Sequence, residues 1–259
     1  MKTPKEWMQR AIVALLGGEK TLDACFRILD RFRMAKQGRE AHRKQVFRNL
    51  FATNKWGSAE SVSGGGSEMA STENVRKEIP RLVAERGVQT LLDAPCGDYN
   101  WFRTIQWRQP IAYVGGDIVP ELIANNQARY GDARTRFVEL DVVHDDLPAA
   151  DLWLCRHCLI HLPNRDILLA IDNFLNSDVR FLLTTTNSEC RENKDIPTGW
   201  WRQINLQLPP FDFCPPLETI ADWIPGYPVG HLALWERETL KTCLAANAEF
   251  QRVVRSRKN

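Results

Sequence analysis

No stretch of the 259-residue sequence approaches the ~20 consecutive apolar residues of a membrane span. The apolar run at residues 11–16 is too short for a secretory signal, so the expectation is a cytoplasmic protein with reduced thiols. Charge imbalance is also lacking: 34 Lys and Arg against 32 Asp and Glu leave a net +2, which gives no whole-molecule argument for nucleic acid. Among seven cysteines only Cys155 and Cys158 form a close pair. A structural zinc site normally takes four ligands, often from two such pairs, and without a second pair no metal is expected. The three-glycine dinucleotide fingerprint is missing too, and no internal repeat is visible. Hydrophobic residues at 44% and charged residues at 25% are ordinary for a globular chain of one large domain with additions.

What is present is organised around Thr90-Leu91-Leu92-Asp93-Ala94-Pro95-Cys96-Gly97-Asp98. An apolar run ends in an acid, a turn containing Gly97 follows, and Asp98 is placed to cap a helix, giving strand, turn, helix. Where Gly97 lacks a side chain a cofactor is expected to approach the backbone. The run 112–117 reads as a second strand ending in Asp117, 136–141 as a third ending in Asp141, 151–156 as a fourth and 180–185 as a fifth. Helical periodicity fills 120–130 and 164–175. Strands alternating with helices predict a parallel sheet, and three successive strands ending in Asp put carboxylates at the edge where such sheets bind ligands.

These residues resemble the class I S-adenosylmethionine-dependent methyltransferases, over roughly residues 73–187. Leu91-Leu92-Asp93 and Cys96-Gly97 match the family's first motif, although Pro95 and Tyr99 stand where glycines are usual. By the resemblance, Asp117 is the acid that hydrogen-bonds the ribose hydroxyls, Asp141 and Val142 line the adenine, and residues 154–163 form the motif beside the reactive methyl. The resemblance implies a Rossmann-like, doubly wound, mostly parallel α/β sheet with S-adenosyl-L-methionine as cofactor and S-adenosyl-L-homocysteine as product. The cofactor set expected on this basis is Trp56, Ser61, Ser63, Asp93, Pro95, Cys96, Gly97, Trp101, Asp117, Ile118, Asp141, Val142 and Arg156.

Outside that core, residues 1–55 read as an N-terminal helical extension: Trp7, Ala11, Ile12, Leu15 and Leu16 share one helical face, and Leu22, Cys25, Phe26 and Leu29 another. Eight Lys and Arg between 27 and 48 form either a solvated helix face or a surface for an anion. Residues 56–72 are rich in Gly and Ser; Trp56, Glu60 and the hydroxyls favour an ordered cofactor-side loop over a linker. Thr72 is expected to cap a helix through Arg86 that contains Pro80. The methyltransferase domain then occupies 73–259, with an irregular insertion at about 186–228 for the acceptor, supplied by Asn187, Trp200, Trp201 and Arg202. A strand at 231–235, a helix at 236–245 and a last strand at 250–254 complete the expectation.

For the chemistry, a neutral imidazole suits proton removal near pH 7. His157, directly after the fourth strand, is the expected base, and His161, one helical turn on, the residue that orients it or caps the helix. The Asp/Asn-Pro-Pro-aromatic motif of nucleobase-amine methylation is not at this position, which reads Cys155-Arg156-His157-Cys158. The reading is therefore O-methylation of a small-molecule or sugar-containing (glycan) acceptor, with nucleic acid disfavoured. The alternatives are N-methylation of RNA or protein, prompted by the basic segment, and a noncatalytic cofactor-binding scaffold, prompted by the missing glycines.

Overall fold

The computed structural model describes residues 38–223 and 229–258. The two apolar faces expected between residues 7 and 29 lie outside the described residues, as do four of the eight residues of the basic run, Arg27, Arg31, Arg33 and Lys36. Of the extension, helix α1 (Arg39–Ala52) is described. The chain divides into two compact units, Met1–Arg43 and Lys44–Asn259, and all the strands described belong to the larger.

In chain order that unit contains α2 (Glu73–Glu85), β1 (Thr90–Asp93), β2 (Ala112–Asp117), α3 (Pro120–Tyr130), β3 (Thr135–Glu139), β4 (Leu152–Cys155) and α4 (Asn164–Asn176). There follow β5 (Phe181–Thr186), β6 (Glu218–Ala221), β7 (His231–Glu236), α5 (Arg237–Leu244) and α6 (Ala248–Lys258). The strands form one sheet in the order β3-β2-β1-β4-β5-β7-β6. The first five run parallel, and β7 is antiparallel to both its neighbours. The central strands are short apolar runs, as strands buried on both faces must be.

Alternation along the strands divides the core in two. Leu92, Trp153, Cys155, Leu182 and Trp235 join a cluster with Ile167, Ile171 and Phe174 of α4, Leu240 and Leu244 of α5, and Phe250 and Val253 of α6. Leu91, Leu152, Leu154, Leu183 and Leu234 join another with Val75, Ile79, Leu82 and Val83 of α2 and Ile123 of α3. Helices therefore cover both faces, which is the doubly wound arrangement.

Four local expectations are corrected. No helix follows β1: residues after Asp98 form turns and a single 3-10 turn, Phe102–Thr104. Tyr99 sits at φ +59°, outside helical space, with its ring among Phe102, Tyr113, Tyr130 and Phe137. An aromatic cluster thus takes the place of the expected helix, and Asp98 is not an N-cap. Second, 250–254 is helical, not a strand. Asn247 Oδ1 accepts the Phe250 N–H at 2.7 Å, a capping bond, and Phe250 and Val253 are buried at the helical i, i+3 spacing. Third, the region expected to be irregular contains β6, where only Ile220 is buried. Fourth, the Thr72 hydroxyl donates back to the Glu68 carbonyl at 2.9 Å and does not cap α2, whose interior holds Pro80.

Candidate active site

In a parallel sheet, ligands bind beyond the carboxyl ends of the strands where the strand order reverses. The chain leaves β1 for β2 and β3 on one side and returns to β4 on the other, so the reversal lies between β1 and β4. Asp93 ends β1, Asp117 ends β2, Asp141 follows β3 by two residues, and Arg156 and His157 follow β4.

Asp93 is buried and accepts the Tyr113 hydroxyl at 2.9 Å. Burial pushes its carboxyl up to about 8, against the pull of the Tyr113 bond and the Arg156 charge. Asp117 is buried as well. Its two oxygens accept the backbone N–H groups of Gly97 at 3.2 Å and Val119 at 3.1 Å. Burial raises it to about 6, and the backbone bonds oppose the rise. The turn between them is held from both sides. Trp153 Nε1 donates to the Ala94 carbonyl at 2.8 Å, and Asn126 Nδ2, from the buried face of α3, donates to the Gly97 carbonyl at 2.7 Å. Beyond β3, Asp141 Oδ1 accepts the Val143 N–H at 3.0 Å, and Val142 is buried. Pro95 and Ile118 are half-buried, while Cys96 and Trp101 are buried.

Gly97 has φ +55°, and a Cβ there would lie 2.2 Å from Ser63 Oγ. The bare side of this glycine is therefore occupied by the Gly/Ser segment; it does not leave the open approach expected for a cofactor. Residues 56–72 wrap the turn as a strap. The Asp98 carboxylate accepts Ser61 Oγ at 3.0 Å, the Val62 N–H at 3.0 Å and Ser63 Oγ at 3.4 Å. Glu60 Oε1 accepts the Met69 N–H and Asn100 Nδ2, each at 2.7 Å. Ser58 Oγ donates to Glu68 at 2.8 Å and accepts the N–H groups of Glu60 and Ser61.

After β4 the Arg156 guanidinium turns inward. It donates twice to Asp222, at 2.9 and 2.8 Å, and once to the Gly66 carbonyl at 2.7 Å, and it lies 5.3 Å from the Trp101 ring centre. It thereby ties the strap to the segment after β6. His157 sits at φ +52°, a left-handed conformation costing on the order of 1 kcal/mol for a residue with a Cβ. Its N–H donates to Thr185 Oγ1 at 2.9 Å. Its side chain is 33% exposed, with Nε2 3.5 Å from Asp222 Oδ2. Burial, reinforced by the Arg156 charge, holds the ring well below the usual imidazole range, and Asp222 works in the opposite direction. At neutral pH the ring is therefore uncharged.

His161 Nδ1 donates to the Trp200 carbonyl at 2.9 Å, and its ring lies 5.6 Å from that of Trp56. Trp200 and Trp201 are exposed, 38% and 57%, beside this pair. Arg202 and Asn187 face elsewhere. Arg202 donates to the carbonyls of Leu159 and Ile160 and to Asn164 Oδ1, bracing the 3-10 turn Leu159–His161. Asn187 Nδ2 donates to the Val229 carbonyl at 3.0 Å. Both are buried and have structural work, so of the four expected acceptor residues only the tryptophans are exposed. An open cleft of about 670 Å³ adjoins Asn164, between the insertion (Arg191, Asn193, Pro209) and α6 (Arg252).

The residues that sequence reasoning missed are Tyr113, Asn126, Asp98 in its actual role, and Asp222. Asn126 carried a signal, an amide on the buried face of an amphipathic helix. Asp222 carried none, because it reaches the site from 66 positions beyond Arg156.

No family model and no curated protein matches the chain. Solved structures do. Magnesium protoporphyrin IX methyltransferase (ChlM) from Synechocystis PCC 6803, with bound SAM, aligns over 75% of this chain and 97% of its own, at 14% identity and TM-score 0.54. The 1,6-didemethyltoxoflavin-N1-methyltransferase of Burkholderia thailandensis aligns over 74% and 87%, at 18% identity and TM-score 0.51. The N-methyltransferase NodS of Bradyrhizobium japonicum WM9 aligns over 64% and 96%, at 14% identity and TM-score 0.50. The fold is that of the class I methyltransferases.

Proposed function

We propose that this class I methyltransferase fold acts as an S-adenosylmethionine-dependent methyltransferase on a hydroxyl of a small-molecule or sugar-containing acceptor. The observation that carries the reading is Asp117: a buried carboxylate at the end of β2, fixed by two backbone N–H groups. Each of its oxygens keeps a lone pair for a further donor, which fits a ribose diol. Asp141 and Val142 at the end of β3 would line the adenine. Pro95, Cys96 and Gly97 would form the turn beneath the cofactor, with Trp101 and Ile118 beside it, and Trp56, Ser61 and Ser63 would close over it from the strap. Asp93 and Arg156 would act from below, the one accepting from Tyr113 and the other anchoring the strap.

Bound there, S-adenosylmethionine supplies the electrophilic methyl group. The chain must align the acceptor and take its proton. His157, neutral and beside the end of β4, would take that proton, and His161 with Trp56, Trp200 and Trp201 would form the acceptor's aromatic wall. Calorimetric titration with S-adenosylhomocysteine tests the cofactor site, and an acceptor screen with radiolabelled methyl donor tests the transfer.

A second reading, a noncatalytic scaffold, draws on Ser63 filling the space above Gly97. A chain that binds no S-adenosylhomocysteine favours it. N-methylation is the other alternative, since two of the structural neighbours are N-methyltransferases by name. Labelled product from an amine but not from hydroxyl acceptors favours that reading.

A further inference from the structure

We infer that residues 63–66 of the strap are a plug on the proposed site: they take the space that the cofactor needs at Gly97 and cover the His157 imidazole, so that cofactor binding lifts them and thereby uncovers the base. The inference rests on the methyltransferase reading for the identity of the ligand; the two contacts themselves are visible without it.

At the first contact, Ser63 Oγ accepts the Asp98 N–H at 3.1 Å and lies 3.4 Å from Asp98 Oδ1. An atom placed where a Cβ of Gly97 would be meets Ser63 Oγ at 2.2 Å, well inside van der Waals contact. A ligand that approaches the backbone at Gly97 cannot share that space with the strap. At the second contact, a Cβ on Gly66 would stand 2.7 Å from His157 Nδ1 and 3.0 Å from Cε1. The bare side of Gly66 thus lies against Nδ1, while Nε2 is 3.5 Å from Asp222 Oδ2. Both ring nitrogens face protein, although the side chain as a whole is 33% exposed. With the strap in this position neither nitrogen is placed to meet an acceptor hydroxyl.

The two contacts are mechanically joined. Only Gly64 and Gly65 separate Ser63 from Gly66, and the chain there is wound: the Gly64 N–H donates to the Ser61 carbonyl at 3.1 Å, and the Ser67 N–H to the Gly64 carbonyl at 2.9 Å. A wound segment this short shifts as a unit, so displacement at Ser63 carries Gly66 with it. What holds the segment down is a set of side-chain hydrogen bonds. Asp98 holds it on one side, and Arg156 Nη1 donates to the Gly66 carbonyl at 2.7 Å on the other. Asn100 Nδ2 ties Glu60 at 2.7 Å and the Ser67 carbonyl at 3.2 Å. Each such bond has a small net weight, so a ligand can replace them. A ligand shifts the strap only by its differential affinity for the lifted position. S-adenosylmethionine has that preference because the lowered strap keeps it from Gly97. The strap then rests on the cofactor instead of on the turn, and Nδ1 is released to the acceptor side.

The test needs no acceptor. Diethyl pyrocarbonate acylates an accessible neutral imidazole nitrogen, and mass spectrometry of the full-length protein resolves each histidine. His144, 56% exposed, is the internal reference. Without ligand, His157 should react on the order of tenfold more slowly than His144, because it reacts only when the strap opens. Saturating S-adenosylhomocysteine, which lacks the methyl and leaves room beside the base, should accelerate the reaction at His157 roughly fivefold. Slower or unchanged modification in the saturated protein overturns the inference, since a strap that merely closes over a bound cofactor protects the ring. Ser63→Gly removes the bond from the Asp98 N–H, and Asn100→Ala removes the tie to Glu60 and Ser67. In either folded variant the ligand-free rate at His157 should rise roughly fivefold, the weight of one net hydrogen bond, with His144 unchanged. Wild-type rates in both variants overturn the shielding. Calorimetric titration keeps the two levels apart: S-adenosylhomocysteine binding without acceleration at His157 removes the plug and leaves the methyltransferase reading. Absence of binding in both the wild type and Ser63→Gly removes the reading and, with it, the ligand that was to lift the strap.

Discussion

Asp117 has two tasks, and they predict different losses. It fixes the Gly97 turn through one oxygen and the start of α3 through the other, and in the proposed function it accepts the ribose hydroxyls. Asp117→Ala should cost roughly 1.5–3 kcal/mol of S-adenosylhomocysteine affinity, as for hydrogen bonds to a charged group. Calorimetry on a folded variant checks this, and unchanged affinity would remove the ribose assignment. His157 is governed by its surroundings in the same way. Because burial and Arg156 hold its ring well below the usual range, the rate should stay level as pH falls through 6.5 and decline only well below it. His157→Ala should lower turnover by about 10²–10⁴-fold with S-adenosylhomocysteine affinity nearly unchanged, and should abolish that acid limb. A variant with wild-type turnover would place the base elsewhere. Both positions were legible in the sequence because they lie at the carboxyl ends of the short apolar strands β2 and β4, the edge where such sheets bind ligands. The environments that set their proton affinities were not, since Arg156 and Asp222 meet only in the folded chain.

The strap formed by residues 56–72 replaces what an N-terminal helix turn would ordinarily supply after β1. The chain between β1 and β2 is filled by aromatic packing around Tyr99, and the polar groups of the turn find partners in Ser61, Val62 and Ser63. A Gly/Ser composition reads equally as linker or as ordered loop. What decides is the single carboxylate of Asp98, 37 positions from Ser61, a pairing that no local pattern encodes. Strands β1 to β5 and helices α3 and α4 were legible because their apolar periodicity is strong over their whole length. By contrast, β6 is short and mostly polar, and the helical spacing of α6 was hidden in a five-residue window. Asp98→Ala should release the strap while sparing the core: amide exchange at Val62 should accelerate roughly 10–100-fold, the loss of bonds to a charged group, with the exchange of β4 unchanged. Exchange mass spectrometry over residues 58–67 checks it, and wild-type protection in the variant would show that other contacts hold the segment. Gly97→Ala should be worse, since its Cβ meets Ser63 Oγ at 2.2 Å and its backbone sits at φ +55°. Loss of strap protection together with a lower melting temperature is the expected outcome.

For the molecule as a whole, the carboxyl edge of the sheet is a place where burial competes with ionisation, and stability should carry its signature. Asp93 ionises near 3.9 in an unfolded chain and is raised to about 8 in the folded one, chiefly by burial. A group whose folded value is raised contributes stability that is fully present below the unfolded value and is lost as pH rises through the folded one. Between about pH 4 and pH 8 the folded chain therefore holds a proton that the unfolded chain has released, and this one group lowers unfolding free energy by about 1.4 kcal/mol per pH unit. Asp117, raised to about 6, adds the same sign over the lower part of that window. His157 opposes both: its depressed value contributes stability above about 6.5 that is lost as pH falls. The net curve mixes all three, so the informative quantity is a difference. Asp93→Asn keeps an oxygen for the Tyr113 hydroxyl, at 2.9 Å in the wild type, and removes the titration. Urea unfolding of the ligand-free wild type and variant at several pH values should give curves that lie close together near pH 4, where both side chains are neutral in the folded state, and separate toward pH 8, as the wild type alone loses stability. Curves that stay parallel from pH 4 to pH 8 would mean that Asp93 is ionised in the folded protein, and that the floor of the proposed cofactor site carries a negative charge where a neutral acid is expected.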